Sequence, residues 1–184
     1  MEPTELLMEE HRVIERLLAS MDSAASRLEA DDGIRIGFFV DAAEVIRGFA
    51  DGCHHRKEEG ILFPAMEEAG VPKEGGPIGV MLAEHEEGRR LTRAMREAAE
   101  RVIQGDGLAK LAVIESARGY TELLRQHISK EDAVLFPMAE RLLQGKKAIE
   151  MAEAFEIVEQ EETGEGVHEK YLGIVEALER EVAR

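Results

Sequence analysis

The chain has 184 residues, 39 acidic and 23 basic, for a formal net charge of -16 at pH 7. That length points to one domain with a sizeable core, and a content of 44% hydrophobic and 34% charged residues argues against disorder. The acid excess argues against nucleic acid and anionic membranes as partners, since phosphate recognition needs clustered Lys and Arg, and no apolar run approaches the roughly 20 residues of a bilayer span.

The opening stretch, acidic from Glu2 onward, lacks the basic-then-apolar pattern of a secretory signal. Cys53 is the single cysteine, which excludes an intramolecular disulfide framework. Both features suit a reducing cytoplasm. Apolar residues then recur at spacings of three and four, with no sustained alternation of the strand type. A first helix is predicted over residues 5–30, its stripe carrying Leu6, Leu7, His11, Ile14, Leu17, Leu18, Met21 and Ala25. A second is predicted over residues 34–69, with Phe38, Phe39, Ala42, Val45, Ile46 and Phe49, ending in the Gly/Pro-rich residues 70–77. The third covers residues 78–104 and the fourth residues 108–143. A fifth helical segment begins near Lys147, is interrupted around residues 163–166, and resumes to the C-terminus. Four long amphipathic helices with short connections imply antiparallel neighbours. The expected fold is therefore all-α: an up-down-up-down four-helix bundle over residues 1–145, with residues 146–184 as a C-terminal helical extension packed on it.

An internal repeat sets the register. His54-His55-Arg56-Lys57-Glu58-Glu59-Gly60-Ile61-Leu62-Phe63-Pro64 recurs 73 residues later as His127-Ile128-Ser129-Lys130-Glu131-Asp132-Ala133-Val134-Leu135-Phe136-Pro137, with six of the eleven positions identical and a seventh, Glu59 and Asp132, acidic in both. A weaker match pairs Glu10-His11 with Glu84-His85, Arg16 with Arg90 and Leu17 with Leu91. Each half is thus a helix with one His followed by a helix with His-x-x-x-Glu and Leu-Phe-Pro, which describes two helical hairpins related by a pseudo-twofold. Proline inside a helix removes a hydrogen bond, at about 3 kcal/mol, so each helix is expected to kink or stop near Phe63 and Phe136.

His54 and Glu58 are four apart and share one helix face, as do His127 and Glu131. His11 and His85 interrupt apolar stripes and so point at the core. A lone interior histidine is ordinarily a satisfied core residue, and a lone His-x-x-x-Glu a surface pair. Two copies in register, each preceded by a His on the partner helix, instead indicate a metal site, with imidazole suited to iron, copper or zinc and carboxylates able to span two metals. If Glu58 and Glu131 both bridge, one metal takes His11 and His54 and the other His85 and His127, which leaves an open position for a small molecule. Burying the two acids without metal is costly, so a less stable metal-free form is expected. No His-Glu-x-x-His, paired Glu-x-x-His, phosphate loop or nucleophile elbow is present.

These residues resemble the hemerythrin-like, or HHE, cation-binding family of non-haem di-iron proteins. The motifs that carry the resemblance are Glu10-His11, His54-x-x-x-Glu58 with Leu62-Phe63-Pro64, Glu84-His85-Glu86, and His127-x-x-x-Glu131 with Leu135-Phe136-Pro137. The resemblance implies a four-helix bundle and two iron ions, oxo- or hydroxo-bridged and bridged by the Glu58 and Glu131 carboxylates. It also implies a protein that binds, senses or reacts with dioxygen, nitric oxide or peroxide, either as a detoxifying enzyme or in iron sensing or storage. No protein partner is indicated.

Two departures from the oxygen-carrying members stand out. Those carriers place two histidines four apart on the third helix, where this chain has Met81 before His85, and an Asp five after the last His, where this chain has Glu131 four after His127. The resemblance is therefore closer to a six-ligand branch, and a seventh donor would come from elsewhere. His168 and Tyr171 are candidates, brought round by Gly164 and Gly166 into space left by Gly88. His55 is a further candidate, although on an α-helix it points about 100° from His54 and so reads as a supporting or surface residue.

Overall fold

The apolar spacing at three and four produces six helices among residues 2–163 and 166–184, which the computed structural model describes. Helix α1 spans Pro3–Glu29 and opens with reciprocal bonds between Glu2 and Glu5, with a proline in its first turn. Helix α2 covers residues 37–68 and α3 covers Pro77–Ile103. Helix α4 covers residues 110–142, after a short 3₁₀ turn at Gly107–Ala109. Helix α5, Lys146–Ile157, continues with π-type winding over Val158–Thr163, and α6 spans Val167–Val182. Gly166, at a φ of 79°, makes the left-handed turn into α6. Gly164 lies outside the described residues, so the expected reversal is described only at Gly166. No strand occurs among the described residues, and no helix there is long and apolar enough to cross a membrane.

The expected stop at each proline does not occur. Neither α2 nor α4 ends at its Leu-Phe-Pro. Instead α2 widens to π-type winding at Ile46–His55 and again at Glu58–Leu62 before resuming as Phe63–Glu68. Helix α4 does the same at Glu131–Leu135 before Phe136–Leu142. A proline lacks its N–H and crowds the carbonyl four residues back. One residue more per hydrogen-bonded turn accommodates both problems without ending the helix.

Helices α1 and α4 pack together, and their pairs run in opposite order: Asp22 with Thr121 (2.6 Å), His11 with Asp132 (2.6 Å) and Thr4 with Glu140 (2.7 Å). Helix α3 packs on α4 and α2. Helix α6 lies against α1 and α2, tied by the two-pronged Arg16–Glu179 pair (2.8 and 2.7 Å) and by Tyr171 over Gly48, where a Cβ would stand 1.8 Å from the phenol oxygen. That approach requires glycine.

Two apolar clusters form the core. One gathers Ile14, Leu18, Phe38, Phe49, Met95, Val113, Leu124 and Val175, and the other Leu7, Leu62, Phe63, Met81, Leu135, Phe136 and Phe155. Between them, along each of the four long helices, fall His11, His54, His85 and His127. A polar layer is thus enclosed on both sides by close-packed hydrocarbon.

Candidate metal centre

All six repeated residues meet in this layer. His11, His54, His85, His127, Glu58 and Glu131 are each 2% exposed or less. Glu58 Oε1 lies 3.4 Å from His54 Nε2, and its Oε2 lies 3.4 Å from His85 Nε2. Glu131 Oε2 lies 3.2 Å from His11 Nε2, and its Oε1 3.2 Å from His127 Nε2. Each carboxylate therefore turns one oxygen toward each half of the site. Two overlapping donor groups result: His11, His54, Glu58 and Glu131, and His55, Glu58, His85 and His127.

His55 is the surprise. Its ring stacks on His85 with centroids 3.8 Å apart, and it joins the donors on that side. The sequence reading used α-helical geometry, whereas His54 and His55 both lie in the π-type stretch Ile46–His55. Its wider turn rotates successive side chains through a smaller angle. Adjacent histidines thereby reach opposite halves of one site. The other two extra candidates lie elsewhere. His168 packs edge-on against Phe49 at 5.0 Å, and Tyr171 covers Gly48. Gly88 faces Tyr120 and Leu124 of α4, so it leaves no space for either.

The tautomers follow from what surrounds the rings. Every Nδ1 has a carboxylate partner: Asp132 for His11 (2.6 Å), Glu10 for His54 (2.9 Å), Asp51 for His55 (2.9 Å), Glu59 for His85 (2.7 Å) and Glu84 for His127 (2.9 Å). An ionised carboxylate only accepts, so each Nδ1–H donates and each Nε2 faces inward. A carboxylate behind the imidazole is the arrangement that orients metal-ligating histidines. The sequence reading gave none of these five acids this role, although Glu10 and Glu84 stood in its motifs. A signal existed for four of them, because Glu10 and Glu84 precede the paired histidines and Glu59 and Asp132 follow the paired glutamates.

The inward atoms lack partners of their own. Nε2 of His11, His54 and His55 and all four oxygens of Glu58 and Glu131 are buried without a hydrogen bond. Nε2 of His85 and His127 face each other at 3.1 Å, which two lone pairs tolerate only with a cation between them. Native interiors rarely leave so many polar atoms unsatisfied, and a donor set of imidazoles and carboxylates fits transition metals. Burial presses the His54 imidazolium down, but Glu58 and the Glu10 bond overcome it and push its pKa up to about 10. His85 is likewise raised against burial, to about 9, by Glu58 and Glu59. Burial pushes the Glu58 carboxyl up, but His54 and His85 hold it well below the usual range. His55, by burial and the repulsion of His85, is held neutral, the form that ligates. Without a cation, protons stand in for one. The repeated phenylalanines close the layer, Phe136 stacked on His11 at 5.4 Å and Phe63 on His85 at 6.0 Å.

Comparison with known proteins agrees with this geometry. The Hemerythrin HHE cation binding domain matches residues 2–139, a span containing all seven inward donors. The chain is 29% identical over 174 residues to the uncharacterized protein Rv1995 of Mycobacterium tuberculosis, which covers 95% of this chain and 68% of that one. It is 34% identical over 113 residues to the iron-sulfur cluster repair protein YtfE of Enterobacter sp. (strain 638), covering 54% of this chain and 50% of that protein. With YtfE of Salmonella paratyphi B the identity is 33% over 88 residues, 47% of this chain and 40% of that one. No solved structure matches the chain significantly. By its match over three quarters of its length, the chain belongs to the hemerythrin HHE cation-binding domain family.

Proposed function

We propose that this protein is a non-haem di-iron protein that binds or senses a small ligand such as dioxygen, nitric oxide or peroxide, or reacts with it. The reading places residues 1–145 in an up-down-up-down four-helix bundle and residues 146–184 in a helical extension on it. The observation that carries it is the convergence of seven buried donors on two overlapping positions, with the inward atoms of His11, His54, His55, Glu58 and Glu131 lacking hydrogen bonds. On this reading His11 and His54 hold one ion, His55, His85 and His127 hold the other, and Glu58 and Glu131 bridge. Two iron ions supply a redox-active Lewis-acid pair. The chain does the rest: the Nδ1 bonds fix the imidazoles, the two apolar clusters exclude bulk water, and the carboxylates offset the cationic charge. The two-histidine position has fewer protein donors, so the small ligand binds on that side.

The donor split carries its own prediction. His55→Ile, which copies Ile128 of the other repeat, weakens iron binding at one position by about tenfold or more and leaves the second intact, as read by anaerobic ferrous titration. Equal weakening at both positions, or none, would remove His55 from the ligand set.

The similarity to proteins named for iron-sulfur cluster repair favours a second reading, in which the bound iron is itself sensed, stored or passed on. Metal analysis with an absorption spectrum of the fresh protein tests the shared premise. Two irons per chain with near-ultraviolet charge-transfer bands are expected, and a protein without iron would end both readings. Reduction followed by air, nitric oxide or peroxide then separates the activities. A stable adduct indicates binding or sensing, many turnovers of peroxide or nitric oxide indicate an enzyme, and iron release to a chelator indicates the second reading.

A further inference from the structure

The two halves of the centre repeat the same supporting array, but the C-terminal segment covers only one. On the first half, Glu10 divides its carboxylate: Oε2 accepts from His54 Nδ1 at 2.9 Å, and Oε1 accepts from Lys57 Nζ. Lys57 is fully buried, with its ammonium 5.8 Å from the Phe155 ring centre of α5. Its second carboxylate comes from the C-terminal segment, Glu159 Oε1 at 2.8 Å. On the other half, Glu84 accepts from His127 Nδ1 at 2.9 Å and from Lys130 in the same way, but Lys130 is 43% exposed.

A surface amine in water needs no further partner. A buried one does, because a desolvated ammonium is tolerated only when well paired. With Glu159 in place, Lys57 bridges two carboxylates and stays on Glu10 Oε1, which leaves Oε2 for His54. Without Glu159, Lys57 keeps Glu10 as its carboxylate, beside the Cys53 thiol at 3.9 Å from Glu10 Oε1, and draws both Glu10 oxygens, so that His54 loses its orienting partner.

We infer that Glu159, through Lys57 and Glu10, is a positioning residue for His54, so that the C-terminal segment sets the iron affinity of the two-histidine position alone. The inference rests on the di-iron reading. It makes the position with the open coordination place, and only that one, dependent on how residues 146–163 are seated.

The test is ⁵⁷Fe(II) titration of the full chain under anaerobic conditions, followed by Mössbauer spectroscopy, comparing wild type with Glu159→Gln and Glu156→Gln. The second variant removes the same charge from an exposed site on the same segment. The His55→Ile spectrum identifies which doublet belongs to the three-histidine position. Glu159→Gln is expected to weaken the other position by about tenfold or more, the usual effect of removing an outer partner, while Glu156→Gln matches wild type. Equal affinities in Glu159→Gln and wild type would overturn the inference, and so would equal weakening at both positions, since that is a general loss of structure. A wild-type chain that binds fewer than two irons would instead end the di-iron reading and take this inference with it. The two failures are therefore told apart by the wild-type titration.

Discussion

Glu58→Ala leaves the protein without a binuclear centre. Glu58 is common to both donor groups and turns one oxygen to His54 and the other to His85, each at 3.4 Å. On the di-iron reading its removal would take a ligand from two metals at once, whereas loss of a single histidine would take one from one metal. Iron content is expected to fall from two per chain to one or fewer. Glu131→Ala should do the same, since its oxygens lie 3.2 Å from His11 and His127. Glu58→Gln separates ligation from folding, because it keeps the shape and removes the charge. Metal-free, this variant lacks the carboxylate that keeps His54 and His85 protonated, so it should melt below metal-free wild type at neutral pH, approach it as pH rises toward 10, and fail to load iron at any pH. Two irons per chain in Glu58→Ala would show that the ligand assignment is wrong.

Metal removal has the second large effect, and its size depends on pH. At free iron about 1,000 times the dissociation constant, binding to the folded state alone adds about 4 kcal/mol. For a chain of this size that is on the order of 8–16 °C in Tm. In the metal-free protein, protons on His54 and His85 take the place of the cations. Their pKa values, about 10 and about 9 against an ordinary 6.5, mean that the folded state binds protons more tightly than the unfolded. Their contribution is fully present below pH 6.5 and is lost as pH rises through 9 and 10. Glu58 works in the opposite direction: its lowered pKa contributes above 4.5, and that contribution is lost as pH falls. His55, held neutral in the fold, costs stability below its ordinary 6.5, so the metal-free form should be most stable near pH 6.5 and should lose Tm steadily toward pH 10. Iron replaces those protons, so the loaded form should hold its Tm across the alkaline range and weaken at acid pH, where protons compete for the ligands. Scanning calorimetry of both forms from pH 5 to 10 would show the two curves diverging with pH. Parallel curves would mean that the histidines do not balance the buried acids.

The repeat made much of the site readable in advance. His54 and Glu58 reappear as His127 and Glu131 at one offset, and chance does not place a matched imidazole and carboxylate twice on one helix face. The structure departs from that reading where helix geometry itself departs from 3.6 residues per turn. His55 was set aside because an α-helix turns it away from His54, and Pro64 and Pro137 were expected to bend or end their helices. The set-aside of His55 and the expected stop at each proline both fail at the π-type winding of α2 and α4 around the site. His168 and Tyr171 were raised from glycine spacing, but which glycine faces which helix is a matter of packing. Tyr171 took Gly48, and Tyr120 and Leu124 line Gly88.

By itself the sequence determined the helical class, the register of the two halves and the six symmetric candidate ligands, because periodicity and a spaced repeat are local properties of the chain. Tertiary structure alone decided the inward turn of His55, the carboxylates behind the other four imidazoles and the burial of Lys57 under Glu159. Those depend on which of 39 acids meets which ring across helices far apart in the chain, and on the π-type winding around the site. A pattern within one helix cannot encode a contact between two. The asymmetry of the centre belongs to the fold.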